Sequence, residues 1–261
     1  MTVLVVDNVT MSFGGVAALS SFSASIPAGQ IVGIIGPNGA GKTTLLNVIC
    51  GLHHPNAGRV KLLGQDATRL RPDQVARLGL ARTFQSSRLF SGMSVLENIM
   101  VGLHTNGRSM PWSVAFSTRR SRSEESEMRE KATRALNFVQ LTHLADRPAN
   151  MLSFGQQRII EIARALVSDP KIILLDEPAV GLSINRLTEL DQLLRRTRDE
   201  RGVTFVMIEH VIRLVMGVCD RIIVMNAGSK IADATPLEVR KNPHVIEAYL
   251  GSGSYARNLA S

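Results

Sequence analysis

Residues 36–43 read GPNGAGKT, a glycine-rich stretch that matches the P-loop pattern of phosphate-binding turns. A strand-like apolar run, Ile31 to Ile35, comes directly before it, and a helical pattern, Thr44 to Cys50, follows. Glycines allow several backbone N–H groups to point at one phosphate, and the positive end of the following helix adds to the attraction. A turn without a ligand is the alternative, but strand, loop and helix occur in the order that phosphate binding requires.

The side chains of this loop could complete a site for ATP and Mg²⁺. Lys42 is suited to neutralising the β- and γ-phosphates, and the Thr43 hydroxyl is suited to Mg²⁺, which takes few protein oxygens and keeps several waters. Thr44 would assist at the phosphates. The residues expected to contact the nucleotide here are Gly36, Asn38, Gly39, Gly41, Lys42, Thr43 and Thr44.

Two carboxylates follow the short apolar run at residues 172–175, as expected of a buried strand that delivers Asp176 and Glu177 to one edge of a sheet. Burying both without a cation would be costly. A Mg²⁺ ion held by Asp176 through water, with Glu177 polarising the attacking water, would remove that difficulty and make the site hydrolytic. Taken alone, an ordinary acidic strand end would be the preferred interpretation.

A second anion-binding device is predicted at residues 152–158, LSFGQQR, which precede an amphipathic helical pattern. Ser153 and Gln156 have the spacing of a capping box, so a helix should begin here. The N–H group of Gly155 and the hydroxyl of Ser153 would then face an anion at the positive end of that helix. The alternative is a helix cap with no ligand.

The elements that must position these residues alternate between apolar strand-like runs and helical patterns, which predicts an α/β fold with a parallel core sheet and covering helices. The expected core strands are Leu4–Val9, Ile31–Ile35, Lys171–Leu175, Thr204–Ile208 and Arg221–Met225. Shorter alternating stretches, Ser21–Ile26 and Arg59–Leu63, indicate antiparallel additions. Residues 102–122 have the composition of an exposed insertion, and a helix with ion pairs at Glu127–Lys131 and Glu130–Arg134 should follow.

Composition limits the possible functions of the 261-residue chain without choosing one. The net charge of +8 suits an anionic partner, which could be nucleic acid, a nucleotide or acidic lipid. The apolar stretch from Val203 to Cys219 is broken by charged residues such as Glu209, so no membrane span is expected. The N-terminus lacks the pattern of a secretion signal, which favours the cytoplasm, and Cys50 and Cys219 are expected to be buried thiols.

The ordered set of motifs resembles the ABC transporter ATPases: the P-loop at 36–43, Gln85, residues 152–156, Asp176-Glu177 and His210. The resemblance covers nearly the whole chain and implies a P-loop NTPase (RecA-like) core with an antiparallel β subdomain and an inserted α-helical signature subdomain. It places the core at residues 1–84 and 166–251, the signature subdomain at 85–165 and a tail at 252–261, in a single cassette.

The same resemblance implies roles that the residues alone do not show. Two subunits would face head to tail, with each ATP between the P-loop of one and residues 153–156 (Ser153, Gly155 and Gln156) of the other. Phe13 would stack on adenine, Gln85 would link Mg²⁺ and the attacking water to the membrane partner, and His210 would contact the γ-phosphate. Taken singly, these three would be core or surface residues.

Two positions depart from the family pattern. Phe154 replaces the usual glycine at the third position of the signature, and Ser183 stands where the family usually has aspartate. Neither change removes a catalytic group. The second puts in question how tightly the two active sites of a dimer would communicate.

Residues 81–85, ARTFQ, with Leu89-Phe90 and residues 95–98, VLEN, resemble the subgroup that serves uptake of branched-chain amino acids, or its urea and short-amide relatives. The implied partners are transmembrane permease subunits, a second ATP-binding subunit (a copy or a paralogue) and, indirectly, a periplasmic solute-binding protein. The implied location is the cytoplasmic face of the inner membrane. A nucleic-acid-linked ATPase of the same class is disfavoured by the single compact cassette, so no nucleic-acid partner is expected, and a regulatory module is a further alternative.

Overall fold

The computed structural model describes residues 1–83, 89–103 and 119–250. The chain divides into two compact units, one formed by Met1–Arg82 with Lys171–Ser261 and the other by Thr83–Pro170. Of the sequence-based expectations, Gln85, residues 104–118 of the insertion and the tail at 252–261 lie outside the described residues. The insertion was predicted to end too late, because residues 119–122 already belong to the helix that follows it.

Ten strands occur in the described residues. They are β1 (Thr2–Phe13), β2 (Val16–Pro27), β3 (Ile31–Ile35), β4 (Ala57–Leu62), β5 (Gln65–Asp66), β6 (Leu80–Arg82), β7 (Ile172–Asp176), β8 (Thr204–Ile208), β9 (Arg221–Asn226) and β10 (Ser229–Ala234). One sheet has the order β2-β1-β4-β5 and is antiparallel, whereas the other has the order β10-β9-β3-β8-β7-β6 and is parallel except for β10. The predicted parallel core and antiparallel additions are therefore confirmed, except that Leu4–Val9, expected among the core strands, lies in β1 of the antiparallel sheet because it pairs with β2 and β4.

The helices over the same residues are α1 (Lys42–Ile49), α2 (Pro72–Arg77), α3 (Val95–Val101), α4 (Arg119–Phe138), α5 (Phe154–Leu166), α6 (Ile184–Arg201), α7 (Ile212–Val218), α8 (Pro236–Lys241) and α9 (Pro243–Leu250). None of these described helices combines the length and the apolar character that crossing a membrane requires.

The register of the parallel sheet brings three strand ends together. Ile34 of β3 lies opposite Ile208 of β8, and Ile208 in turn lies opposite Asp176 of β7. Strands β3, β7 and β8 are buried along their whole length, as their continuous apolar sequences require. The P-loop, the two carboxylates and residues 209–210 therefore leave the sheet at the same edge.

Helix α1 is held in place by the core between the two sheets. Its apolar residues Leu45 and Leu46 belong to a buried cluster that also contains Leu4 and Phe22 of the antiparallel sheet and Val206 of the parallel sheet. Residues on both sides are almost fully enclosed, so the start of α1 has little freedom to move relative to the strand ends.

The second unit is helical, and two of its helices, α3 and α5, begin at capping boxes. Ser94 and Glu97 form the capping box of α3, and Ser153 and Gln156 form the capping box of α5. The sequence predicted the box at Ser153 and Gln156. The ion pair between Lys131 and Glu127 on α4 is also confirmed, with a separation of 2.7 Å.

The two cysteines lie in the other unit, where both thiols are free and buried, as predicted. Burial raises the pKa of Cys50 to about 11, so its thiol stays protonated at neutral pH. The pKa of Cys219 is raised further by the same cause. Neither residue has the character of a reactive thiol.

Candidate nucleotide-hydrolysis site

The P-loop closes so tightly on its surroundings that Gly41 admits no side chain. Its φ angle is 96°, in the left-handed region, and a Cβ atom there would lie 2.3 Å from the Ala18 carbonyl oxygen. Gly36 is similarly enclosed, since its Cβ would lie 2.2 Å from the Met225 carbonyl oxygen. These contacts fix the loop against β2 and β9.

Lys42 is the first residue of α1 and its side chain is folded back over the loop. The Nζ atom donates to the carbonyl oxygens of Gly36 at 2.8 Å and of Pro37 at 3.0 Å. Burial lowers the pKa of Lys42, while the nearby Glu177 charge opposes that shift. The ammonium group is thus partly stripped of water beside the loop, where an anion would be strongly attracted.

The remaining loop residues present polar groups at the surface. Asn38, Gly39 and Thr43 are exposed or nearly so in the loop and first helical turn, and Thr44 is half-buried. The first turn of α1 contains no acidic residue, so its partial positive charge is not neutralised locally. These four predicted phosphate contacts are therefore accessible from solvent, whereas Gly36 and Lys42 are buried.

Asp176 ends β7 in a buried ion pair that sequence reasoning did not identify. Its Oδ2 atom accepts from the Arg82 guanidinium at 2.8 Å, and both side chains are only 9% exposed. Arg82 also donates to Asn47 Oδ1 of α1 at 2.7 Å. The Arg82 guanidinium thus connects β6, β7 and α1 beside the site. The apolar sequence of β7 did not indicate this contact.

We expect Arg82→Met to lower the free energy of unfolding by about 3–5 kcal/mol, because the buried Asp176 carboxylate would lose its cation. Urea-induced unfolding would measure the change. Arg71→Met is the control, since Arg71 pairs with Asp73 on the surface and should cause no measurable loss. A loss no larger than the control's would mean that Asp176 does not depend on Arg82.

Glu177 and His210 meet across the edge of the sheet. His210 Nε2 lies 2.9 Å from Glu177 Oε1, with both side chains partly exposed. Glu177 has φ 49°, an unusual value for a residue with a side chain, and its N–H group donates to the Ile208 carbonyl oxygen at 2.9 Å. The turn directs the carboxylate away from the strand toward the imidazole.

The predicted adenine contact, Phe13, ends β1 and is 45% exposed. Its ring meets His53 edge to face, with centroids 5.4 Å apart and planes at 74°. An exposed ring held by an aromatic neighbour is suited to stacking on a planar base. This contact with His53 was not foreseen from the sequence.

The signature residues lie in the helical unit. Ser153 is exposed, and Gly155 and Gln156 are partly buried at the start of α5. The Ser153 backbone N–H donates to Gln156 Oε1 at 3.0 Å, which fixes the turn. Phe154 is exposed too, and its ring packs on the Arg158 guanidinium at 5.0 Å. In the other unit, Ser183 is the N-cap of α6 and its side chain makes no capping bond.

The donor atoms near the P-loop fit Mg²⁺. Thr43 offers a hydroxyl oxygen and Asp176 a carboxylate oxygen, and Mg²⁺ prefers such hard oxygen ligands together with substrate phosphates and water. In the part of the chain that the structure describes, no cluster of three or more His, Cys, Asp or Glu side chains could hold a metal alone.

Proteins of known function resemble this chain along most of its length. The family profile described as ABC transporter matches residues 19–180, and one described as Branched-chain amino acid ATP-binding cassette transporter matches residues 229–255. The high-affinity branched-chain amino acid transport ATP-binding protein BraF of Pseudomonas aeruginosa is 42% identical over 95% of this chain and 98% of its own. LivG of Escherichia coli, which has the same description, is 42% identical over 95% of this chain and 97% of its own.

Solved structures show the same fold. A nucleotide-free ATP-binding cassette from an ABC transporter superposes with a TM-score of 0.84, at 36% identity over 95% of this chain and 99% of that one. A dimeric cassette in a post-hydrolysis state with ADP and phosphate superposes with a TM-score of 0.74, at 29% identity over 89% of this chain and 98% of that one.

A parallel sheet that brings a P-loop and two carboxylates to one edge defines a P-loop ATPase. The chain belongs to the ABC transporter family, as an ATP-binding subunit. It is an ATPase coupled to transport, and the resemblance stated from its motifs is confirmed.

Proposed function

We propose that the chain energises import of branched-chain or related hydrophobic amino acids across the cytoplasmic membrane. Support comes from the descriptions of BraF and LivG, which match over nearly their whole lengths, and from the branched-chain profile over residues 229–255. The convergence of Lys42, Asp176, Glu177 and His210 at one sheet edge is the structural observation that carries hydrolysis.

Each side chain has a proposed role in turnover. The P-loop backbone and Lys42 bind the β- and γ-phosphates, while Phe13 stacks on adenine. Glu177 polarises the attacking water, and His210 contacts the γ-phosphate and orients the Glu177 carboxylate, which the 2.9 Å separation supports. Mg²⁺, held by Thr43 and Asp176 with Gln85, would supply charge neutralisation at the phosphates.

We further propose that two ATP-binding subunits act together, as in the dimeric cassette that this chain resembles. Ser153, Gly155 and Gln156 of one subunit would then contact the nucleotide of the other. The helical unit, Thr83–Pro170, would be the signature subdomain and would carry Gln85 toward the permease. Such a subunit would lie on the cytoplasmic face of the inner membrane, and the periplasmic solute-binding protein would act only indirectly.

Uptake of labelled leucine tests this proposal in cells that carry Lys42→Ala at the native locus. We expect uptake to fall at least about tenfold, because the variant loses the cation that binds the phosphates. Lys61→Ala, which removes an exposed lysine of β4, is the matched control and should leave uptake unchanged.

The solute class follows from competition in the wild type. Unlabelled isoleucine and valine should block leucine uptake, whereas urea and short amides should not. If only urea or short amides blocked leucine uptake, the transporter would be assigned to the urea and short-amide relatives of this subgroup. Unchanged uptake of every solute in Lys42→Ala would reject the importer proposal.

A further inference from the structure

Glu209 is a buried carboxylate that the roles above leave unused. It follows β8 directly, precedes His210 and has no exposed surface. A buried carboxylate without partners would be strongly unfavourable, so its contacts must compensate for the lost hydration. In the sequence it marked only a break in an apolar run.

Three backbone N–H groups surround the Glu209 side chain. Its Oε1 atom accepts from Ala179 at 2.6 Å, and its Oε2 atom accepts from His210 at 2.9 Å and from Val211 at 3.0 Å. Burial raises the pKa of Glu209, and the three hydrogen bonds act in the opposite direction. Because both oxygens accept from N–H donors, the geometry matches the ionised form.

These bonds join the two loops that carry the reacting groups. Ala179 lies two residues after Glu177, and His210 follows Glu209 itself. The Ile208 carbonyl oxygen holds the Glu177 N–H group from the same strand end. Backbone and side-chain bonds from residues 208–209 therefore set the position of Glu177 on one side and of His210 on the other.

We infer that Glu209 is a positioning residue for hydrolysis, which holds the loops of Glu177 and His210 in the register that gives their 2.9 Å contact. This inference rests on the proposed roles of those two residues. Glu209 has no exposed surface and contacts backbone N–H groups, so it would act on the reaction through those two loops. Its loss should therefore impair turnover and spare nucleotide binding.

Glu209→Gln in the full chain tests the inference. The amide keeps the size of the side chain but has only one acceptor oxygen, so one of the two loops would face an N–H₂ donor and be released. We expect kcat to fall about 10- to 100-fold, since small displacements of catalytic groups have effects of this size. The ATP dissociation constant, measured with a fluorescent analogue, should stay within about threefold of the wild-type value.

Thr197→Val is the matched control. Thr197 lies in the same unit, is as fully buried as Glu209, and donates to the Leu193 carbonyl oxygen at 2.7 Å within α6. Loss of this hydrogen bond should lower the free energy of unfolding without changing kcat, provided that kcat is measured well below the melting temperature. Glu209→Ala, which removes all three bonds, should reduce kcat further if it folds, and Glu209→Gln decides the question if it does not.

Three results would overturn the inference: a folded Glu209→Gln with wild-type kcat, an equal loss of kcat in Thr197→Val, or a loss confined to ATP affinity. Glu177→Gln separates this failure from failure of the proposed site. Wild-type turnover in Glu177→Gln would reject the role of Glu177 itself. Loss of turnover in Glu177→Gln with none in Glu209→Gln would reject only the positioning role.

Discussion

Glu177→Gln should reduce the turnover number for ATP about 10²- to 10⁴-fold, the range that a general base contributes. The amide can still accept a hydrogen bond but takes no proton from water, and His210 loses the carboxylate that lies 2.9 Å from its Nε2 atom. Nucleotide binding should persist, because the P-loop and Lys42 are unchanged. Phosphate release under saturating ATP measures the effect.

Glu189→Gln is the control for this substitution. Glu189 lies on α6 and pairs with Arg186 at the surface, so its loss should leave turnover at the wild-type level. Wild-type turnover in Glu177→Gln would show that another group polarises the water. A loss of ATP binding in the same variant would instead mean that Glu177 supports the P-loop.

The second large effect is expected for Gly41→Ala. The added Cβ atom would lie 2.3 Å from the Ala18 carbonyl oxygen and at a φ of 96°, so the loop must move away from its phosphate-binding shape. We expect ATP affinity to fall at least about 100-fold, since the converging backbone N–H groups are the main phosphate ligands. Equilibrium binding of a fluorescent ATP analogue would measure it.

Gly64→Ala separates crowding from backbone strain. Gly64 has a similar φ of 82°, but a Cβ atom added there would meet no atom within 4 Å beyond its chain neighbours. This control should destabilise the fold by about 1–2 kcal/mol without changing ATP affinity. If Gly41→Ala bound ATP as Gly64→Ala does, the close approach to Ala18 would not determine the shape of the loop.

Two of the three fully buried strands, β3 and β8, could be predicted from the sequence with their observed bounds, whereas β7 was predicted one residue early, as Lys171–Leu175. Ile31–Ile35 and Thr204–Ile208 are continuous apolar runs, and every residue in them is buried. The antiparallel strands were predicted too short. In β1 the register shifts between Val6 and Val9, and Asn8 has a positive φ, so the alternation of apolar and polar residues is interrupted although the strand continues.

The edge strand Ser229–Ala234 was not predicted, because its residues are mostly half-buried and carry little apolar signal. Spacing within the chain was enough to find the P-loop and the Asp176-Glu177 pair. It could not show that Arg82 meets Asp176, since 94 residues separate them. Nor could it show that Glu209 accepts from Ala179, because that bond depends on the pairing of β7 with β8.

Given the role proposed for Glu177 in polarising the attacking water, the backbone at this residue places catalysis and stability in opposition. A left-handed φ of 49° costs an ordinary side chain roughly 1–2 kcal/mol, and glycine would adopt it without penalty. Selection for a more heat-resistant protein would therefore favour glycine at this position and yield a robust but inactive subunit. Glu177 therefore lowers the stability of the fold locally. Variants selected for thermal tolerance alone should replace Glu177 and lose ATP hydrolysis.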